Sequence, residues 1–133
     1  MTLAAARALN AADLVLIPRK GEEKSDLADL RRAICTRMLT NAATRVVEFD
    51  LPVRDGQRED YAAAVDDWHD HIARTWSRQI GTHLGTSGRV AFLIWGDPSL
   101  FDSSLRIARR LEPKPTIEVM PGITAIQALC AAH

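Results

Sequence analysis

Two short segments carry the residues best placed to do chemistry: Trp95-Gly96-Asp97-Pro98 and, later in the chain, Met120-Pro121-Gly122-Ile123-Thr124-Ala125. Each follows an apolar run and precedes a helical pattern. Gly96 has no Cβ and tolerates positive φ, so backbone there can approach a ligand closely. Asp97 is a good N-cap and Pro98 a good first helical residue. Pro121-Gly122 forces a turn, and Thr124 then offers a hydroxyl and a backbone N–H at a helix start. Neither turn is specific alone, since Gly-Asp-Pro also serves as a plain helix start with no ligand. On consecutive strands of a parallel sheet, however, both open at the strands' carboxyl ends, where open α/β sheets bind their ligands. Nothing in the sequence identifies a catalytic base.

Other chemical candidates have ordinary structural readings beside the functional ones. His69-Asp70-His71 invites a metal, but residues two apart on a helix point away from each other, unlike the four-residue spacing of a helical zinc pair. No metal site is expected. Trp68 and Trp76 could stack on a large flat ligand, yet they share one apolar helix face, so core packing is expected. Arg19, Lys20 and Lys24 follow the first strand on the presumed ligand edge; they could meet ligand carboxylates or form a solvated loop. Arg106, Arg109 and Arg110 read as a solvated helix face. Cys35 and Cys130 match no metal-ligand spacing and read as buried free thiols.

Seventeen Lys and Arg residues cancel seventeen Asp and Glu, which leaves no electrostatic footprint for DNA or RNA. With 47% hydrophobic and 26% charged residues, the 133-residue chain suits one globular domain or a piece of one. A domain of that length buries roughly two-thirds of its unfolded surface. No apolar run approaches the roughly 20 residues of a membrane span. The segment from Thr2 to Asn10 lacks the apolar core of a signal peptide, so a cytoplasmic protein is expected.

The elements that must position the two turns follow from periodicity. Strands are predicted at Asp13–Pro18, Thr44–Phe49, Arg89–Trp95 and Pro115–Met120, alternating with helices, which argues for a mainly parallel sheet flanked by helices in the α/β class. The apolar run Ala91–Trp95 suits a strand covered on both faces. Ser25 is a plausible N-cap for a helix whose inward face is Leu27, Leu30, Ile34 and Met38. A long helix from about Arg58 to His83 carries Tyr61, Val65, Trp68, Ile72, Trp76 and Ile80 on one face, and Gly81, Gly85 and Gly88 then break it. Within Leu100–Leu111, a core face of Phe101, Leu105, Ala108 and Leu111 is predicted. Thr2 caps a first helix that turns Leu3, Ala6 and Leu9 inward, and Ile123–His133 forms a last one. No strand precedes the first helix and no Gly or Pro closes the last, so the chain reads as part of a longer fold.

The order strand-Gly96-Asp97-Pro98-x-x-Phe101, then strand-Pro121-Gly122-Ile123-Thr124-Ala125, resembles the tetrapyrrole methylase family. Lys20–Leu27, Val46–Asp50, Asp66–His69 and Ile94–Leu100 are similar to one branch of it, which methylates a corrin precursor at C1 with loss of an acetyl group. The resemblance covers nearly all of the chain but only the front half of the family's usual length. It implies S-adenosylmethionine as methyl donor, a tetrapyrrole (precorrin) substrate, no metal and a homodimer. It implies cofactor contacts from Trp95, Gly96, Asp97, Leu100, Thr124 and Ala125. Where Trp95 stands, the family often has another glycine, so a contact there would run through backbone. The family's first strand and glycine-rich turn would lie before Met1, and its second domain beyond His133. Residues 1–133 are therefore expected to be a partial amino-terminal domain. Two alternatives stand beside this reading: a catalytically silent binding or dimerisation module, whose unpaired sheet edge favours association, and a relative with a different methyl acceptor.

Overall fold

β1 (Leu14–Arg19) is the centre of the molecule, and its residues Leu14, Val15, Leu16 and Ile17 have no solvent-exposed surface. The computed structural model describes residues 1–19, 25–53, 60–100 and 102–133. Helix α1 (Leu3–Asn10) precedes β1; α2 (Ser25–Met38), β2 (Arg45–Asp50), α3 (Tyr61–Leu84), β3 (Val90–Phe92), α4 (Ser104–Ala108) and α5 (Ala125–Ala132) follow. The three strands form a parallel sheet in the order β2-β1-β3. β2 runs beside the whole of β1, from Leu14↔Arg45 to Arg19↔Asp50. β3 pairs only from Leu14↔Val90 to Leu16↔Phe92, and its ladder stops before Pro18, which has no N–H to give.

Successive side chains of a strand point to opposite faces, and β1 uses this to hold two cores. Leu14 and Leu16 join Phe49, Ile72, Trp76, Ile107 and Leu111 beneath α3 and α4. Val15 and Ile17 join Leu9, Ala28 and Cys35 beneath α1 and α2. The result is the expected α/β architecture, with helices on both sides of a parallel sheet. The strand covered on both faces is β1; the side chains of β3 are only half-buried.

Local signals place most helix ends. Thr2 caps α1 by accepting from Ala5 N at 3.2 Å, and Leu9 is buried as expected while Leu3 is exposed. Asp60 caps α3 by accepting from Ala63 N at 3.0 Å, so that helix starts slightly later than periodicity alone suggests. Gly85 ends it with φ 70°, whereas Gly81 stays helical. Along α3, Ile72 and Trp76 are buried, Val65, Trp68 and Ile80 are half-buried, and Tyr61 is exposed. Ala64, His69 and Ala73 complete the buried face.

Four expectations are corrected. The inward face of α2 is Ala28, Arg31 and Cys35, not Leu27 and Leu30, which are 45% and 50% exposed. Small residues bring the helix close to the sheet, and the Arg31 guanidinium becomes buriable because a strand-end carbonyl accepts from it. Pro115–Met120 is not a strand: an alternating apolar pattern forms one only where its backbone groups are paired, and this segment makes no ladder with β1, β2 or β3. The run Leu93–Trp95 leaves the sheet after Phe92, where β1 runs on to Pro18, which has no N–H for a ladder. Cys130 is exposed rather than buried, because α5 buries none of its residues; Cys35 is a buried free thiol. In and after α4, Ile107 and Leu111 are buried and Leu105 and Ala108 half-buried, while Phe101 lies outside the described residues. Among the described residues no helix is long and apolar enough to cross a membrane.

Candidate functional site

The two turns singled out in the sequence meet at Asp97. Its Oδ1 accepts from Ser99 N at 2.9 Å and from the Ser99 hydroxyl, and its Oδ2 accepts from Gly122 N at 3.2 Å. These donors hold the Asp97 carboxyl below the usual carboxylate range, the Ser99 hydroxyl contributing most. Asp97 therefore does not cap a helix that starts at Pro98. Leu100 N donates back to Asp97 O at 3.1 Å to close a tight turn, and α4 begins only at Ser104. The carboxylate is committed to joining two chain segments, which is a different use of the same acceptor.

Two glycines make the junction possible. Gly96 has φ 68°, in the left-handed region. A Cβ on Gly122 would fall inside the Gly96 carbonyl group, 2.8 Å from its carbon and nearer still to its oxygen. A Cβ on Gly96 would lie 3.9 Å from Thr124 Cα. Trp95, Gly96, Asp97 and Thr124 are thus brought to one place. Thr124 forms a capping box with Gln127, its hydroxyl accepting from Gln127 N at 3.3 Å and its own N–H donating to Gln127 Oε1 at 2.8 Å. Its N–H is therefore spent, and the next first-turn donor of α5 is the N–H of Ala125, which no intrahelical carbonyl can reach. Leu100 is half-exposed at the end of the first turn.

Beside the junction, at the carboxyl edge of the sheet, lies a cleft of about 190 Å³. Its floor and walls are largely aromatic: Trp76 stacks on Phe92 with ring centroids 4.1 Å apart, and Trp68 and Trp95 also line it. Trp68 Nε1 donates to Pro52 O at 2.7 Å. Trp76, 5% exposed, has an indole N–H with no hydrogen-bond partner among the described residues. A buried donor left without an acceptor costs free energy. Core packing and cleft lining are therefore combined in both tryptophans.

Arg31 is the site residue that periodicity missed. It sits on the inward face of α2, and its Nε donates to Leu93 O at 2.9 Å, just where β3 leaves the sheet. Its guanidinium lies 4.6 Å from the centre of the Trp95 ring. The only sequence signal was an arginine three residues after Ala28 and four before Cys35, on a stripe of small side chains.

The remaining candidates are placed elsewhere. Arg19 ends β1 in an exposed ion pair with Asp50 at 3.0 Å; Lys20 and Lys24 lie outside the described residues. His69 is buried and His71 exposed, so they do not share one site. Burial first, and then Arg110 and Arg106, lower the His69 pKa and favour its neutral form. Arg110 is no solvated bystander: it ion-pairs with Asp66 and with Asp70, the latter at 2.6 Å. Arg106 and Arg109 are exposed.

The arrangement offers backbone donors, aromatic walls, one unpartnered indole N–H and one buried cation. It can bind and orient a ligand of mixed aromatic and anionic character. Residues 1–133 match the family described as Tetrapyrrole (Corrin/Porphyrin) Methylases. The chain is 46% identical over 137 aligned residues to a deacetylating precorrin-6A synthase of Sinorhizobium sp., covering 100% of this chain and 52% of that protein. It is 32% identical over 72 residues, 54% of the chain and 13% of the relative, to the cobalamin biosynthesis protein CobIJ of Mycobacterium tuberculosis. A crystal structure of a cobalamin synthesis related protein (CobF) from Corynebacterium diphtheriae superposes with a TM-score of 0.72 at 35% identity, covering 100% of this chain and 51% of that one. The chain thus spans about half the length of the synthase and of the crystallised protein.

Proposed function

The chain belongs to the tetrapyrrole (corrin/porphyrin) methylase family, and from that premise we propose that it serves cobalamin biosynthesis as an S-adenosylmethionine-dependent C-methyltransferase. The reaction proposed, in the cytoplasm, is that of the deacetylating precorrin-6A synthase: the methyl group passes from the sulfonium to C1 of precorrin-5, water takes up the extruded acetyl group as acetate, and S-adenosylhomocysteine is left. The observation that carries this reading is the match to that synthase across the entire chain. The site's chemistry supports it. S-adenosylmethionine carries a flat aromatic base with polar ring atoms, and the cleft offers aromatic walls beside the orphan Trp76 indole N–H.

S-adenosylmethionine, when bound, supplies an electrophilic methyl group on its sulfonium sulfur. The chain's part is to bind and align. In this reading Trp95, Gly96 and Asp97 present backbone to the donor, Leu100 covers it, and Thr124 and Ala125 approach it from the start of α5. Gly96 permits the close approach and Asp97 fixes the spacing of the two turns. Alignment of donor and acceptor is worth up to about 7–11 kcal/mol in favourable cases, and it needs no side chain to change protonation state.

Incubation of the protein with methyl-labelled S-adenosylmethionine and precorrin-5 tests the reading. Label is expected in the tetrapyrrole, with one acetate released for each methyl transferred. Label carried by another corrin intermediate, but not by precorrin-5, would assign the chain to a different methylation. Folded protein that labels none of them would contradict the proposal.

A further inference from the structure

We infer that Arg31 is the receptor for a ligand carboxylate in the carboxyl-edge cleft, an assignment that rests on the functional reading above and adds a recognition residue to it. Arg31 is 9% exposed, in the range where charged side chains are almost always paired. It has no ion pair. Its two hydrogen bonds go to neutral acceptors, Leu93 O at 2.9 Å through Nε and Leu27 O at 3.3 Å through Nη1. Nη2 has no acceptor among the described residues, although the guanidinium carries five donors in a fixed fork. Asp102 faces the same cleft and interacts with Arg31 only electrostatically, without an ion-pair contact; its Oδ1 accepts from Ser104 N at 2.6 Å. Burial lowers the Arg31 pKa more than Asp102 raises it, so the cation is held where the protein alone does not compensate it.

Partial desolvation of a charge without an anionic partner is costly, and here the Leu93 carbonyl holds the group in place rather than leaving it free in solvent. The Leu93 carbonyl and the Trp95 ring fix the plane of the guanidinium from two sides. That leaves the unused edge of the fork for a planar, two-oxygen anion, the geometry at which arginine is better than lysine. The functional reading supplies two such anions, the carboxylates of the tetrapyrrole and the amino-acid carboxylate of the methyl donor.

Titration of the parent, Arg31→Met and Arg31→Lys proteins with three probes separates them. The probes are uroporphyrin (an octacarboxylic tetrapyrrole), S-adenosylhomocysteine, and 5′-methylthioadenosine, which keeps the nucleoside thioether but has no carboxylate. Arg31→Met is expected to weaken one carboxylate probe by about tenfold or more, and the one it weakens identifies the source of the anion. Affinity for 5′-methylthioadenosine should not change, and Arg31→Lys should recover part of the loss. Unchanged affinity for both carboxylate probes in either folded variant overturns the assignment while leaving the functional reading intact. Equal losses for S-adenosylhomocysteine and 5′-methylthioadenosine overturn it too, because they make Arg31 a prop for the Trp95 turn. Parent protein that binds none of the three contradicts the functional reading itself, and the inference with it.

Discussion

Gly122→Ala is expected to abolish binding of S-adenosylhomocysteine while leaving the thermal transition of the sheet nearly unchanged. A methyl group there overlaps the Gly96 carbonyl, and backbone on both sides of the overlap leaves no flexible side chain to yield. Overpacking inside a rigid core usually costs about 1–3 kcal/mol of stability. Here relief is easier, because α5 buries none of its residues and the segment that follows Gly122 is free to swing away. The lost contact is the one between Asp97 and Gly122 N, so the damage falls on the site rather than on the core. Hydrogen exchange is the direct readout: the Gly122 amide should lose protection in the variant while the β1 amides keep theirs. Acid should act on the same contact. The Asp97 carboxyl titrates lower in the folded chain than in the unfolded one. Its contribution is therefore present above the ordinary carboxylate range and is lost as pH falls through the depressed folded value. A Gly122→Ala protein that binds S-adenosylhomocysteine as the parent does would show that the two turns need not meet.

Leu16→Ala should have the opposite profile, a large loss of stability from a residue that touches no ligand. Leu16 has no exposed surface and sits on the central strand between Val47 of β2 and Phe92 of β3. It packs in the same core as Trp76, Ile72 and Ile107, so its removal leaves a cavity beneath the aromatic floor of the cleft. Buried Leu→Ala changes cost about 2–5 kcal/mol, the spread reflecting how far the site collapses. For a domain of this size that is a fall of roughly 7–18 °C in melting temperature, read by circular dichroism. A shift of only a degree or two would mean that the chain's stability does not reside in the β1 core. Val15→Ala on the other face should cost less, since a smaller side chain leaves a smaller void.

The sequence made the class of fold readable, and with it the two turns that meet at Asp97, for physical reasons. β1 and β2 are apolar or β-branched and bounded by breakers, and α3 sustains one face over its length, so local pattern and tertiary placement agree. The Gly96-Asp97 and Pro121-Gly122 turns were found because proline fixes φ and glycine readily takes conformations other residues avoid, wherever they stand. What stayed hidden depended on partners distant in the chain. The apolar alternation of Pro115–Met120 could not reveal that no strand lies beside it. The leucines of α2 drew attention from the narrower stripe of Ala28, Arg31 and Cys35, whose burial depends on the Leu93 carbonyl more than sixty residues away. Asp97 has the composition of a cap, and only the approach of Gly122 shows that it serves as a clasp. Trp76 was readable as core, but its unpartnered N–H is a property of the assembled cleft.

Titration of ¹⁵N-labelled protein with S-adenosylhomocysteine, followed by NMR, tests the central claim most directly. The account predicts that the amides of Gly96, Asp97, Gly122 and Ala125 shift together with the Trp76 indole N–H, which moves downfield as it gains an acceptor. Shifts confined to another surface, such as the shallow depression beside Arg32, Thr36 and Val46, would contradict it. So would no shifts at all in a folded protein.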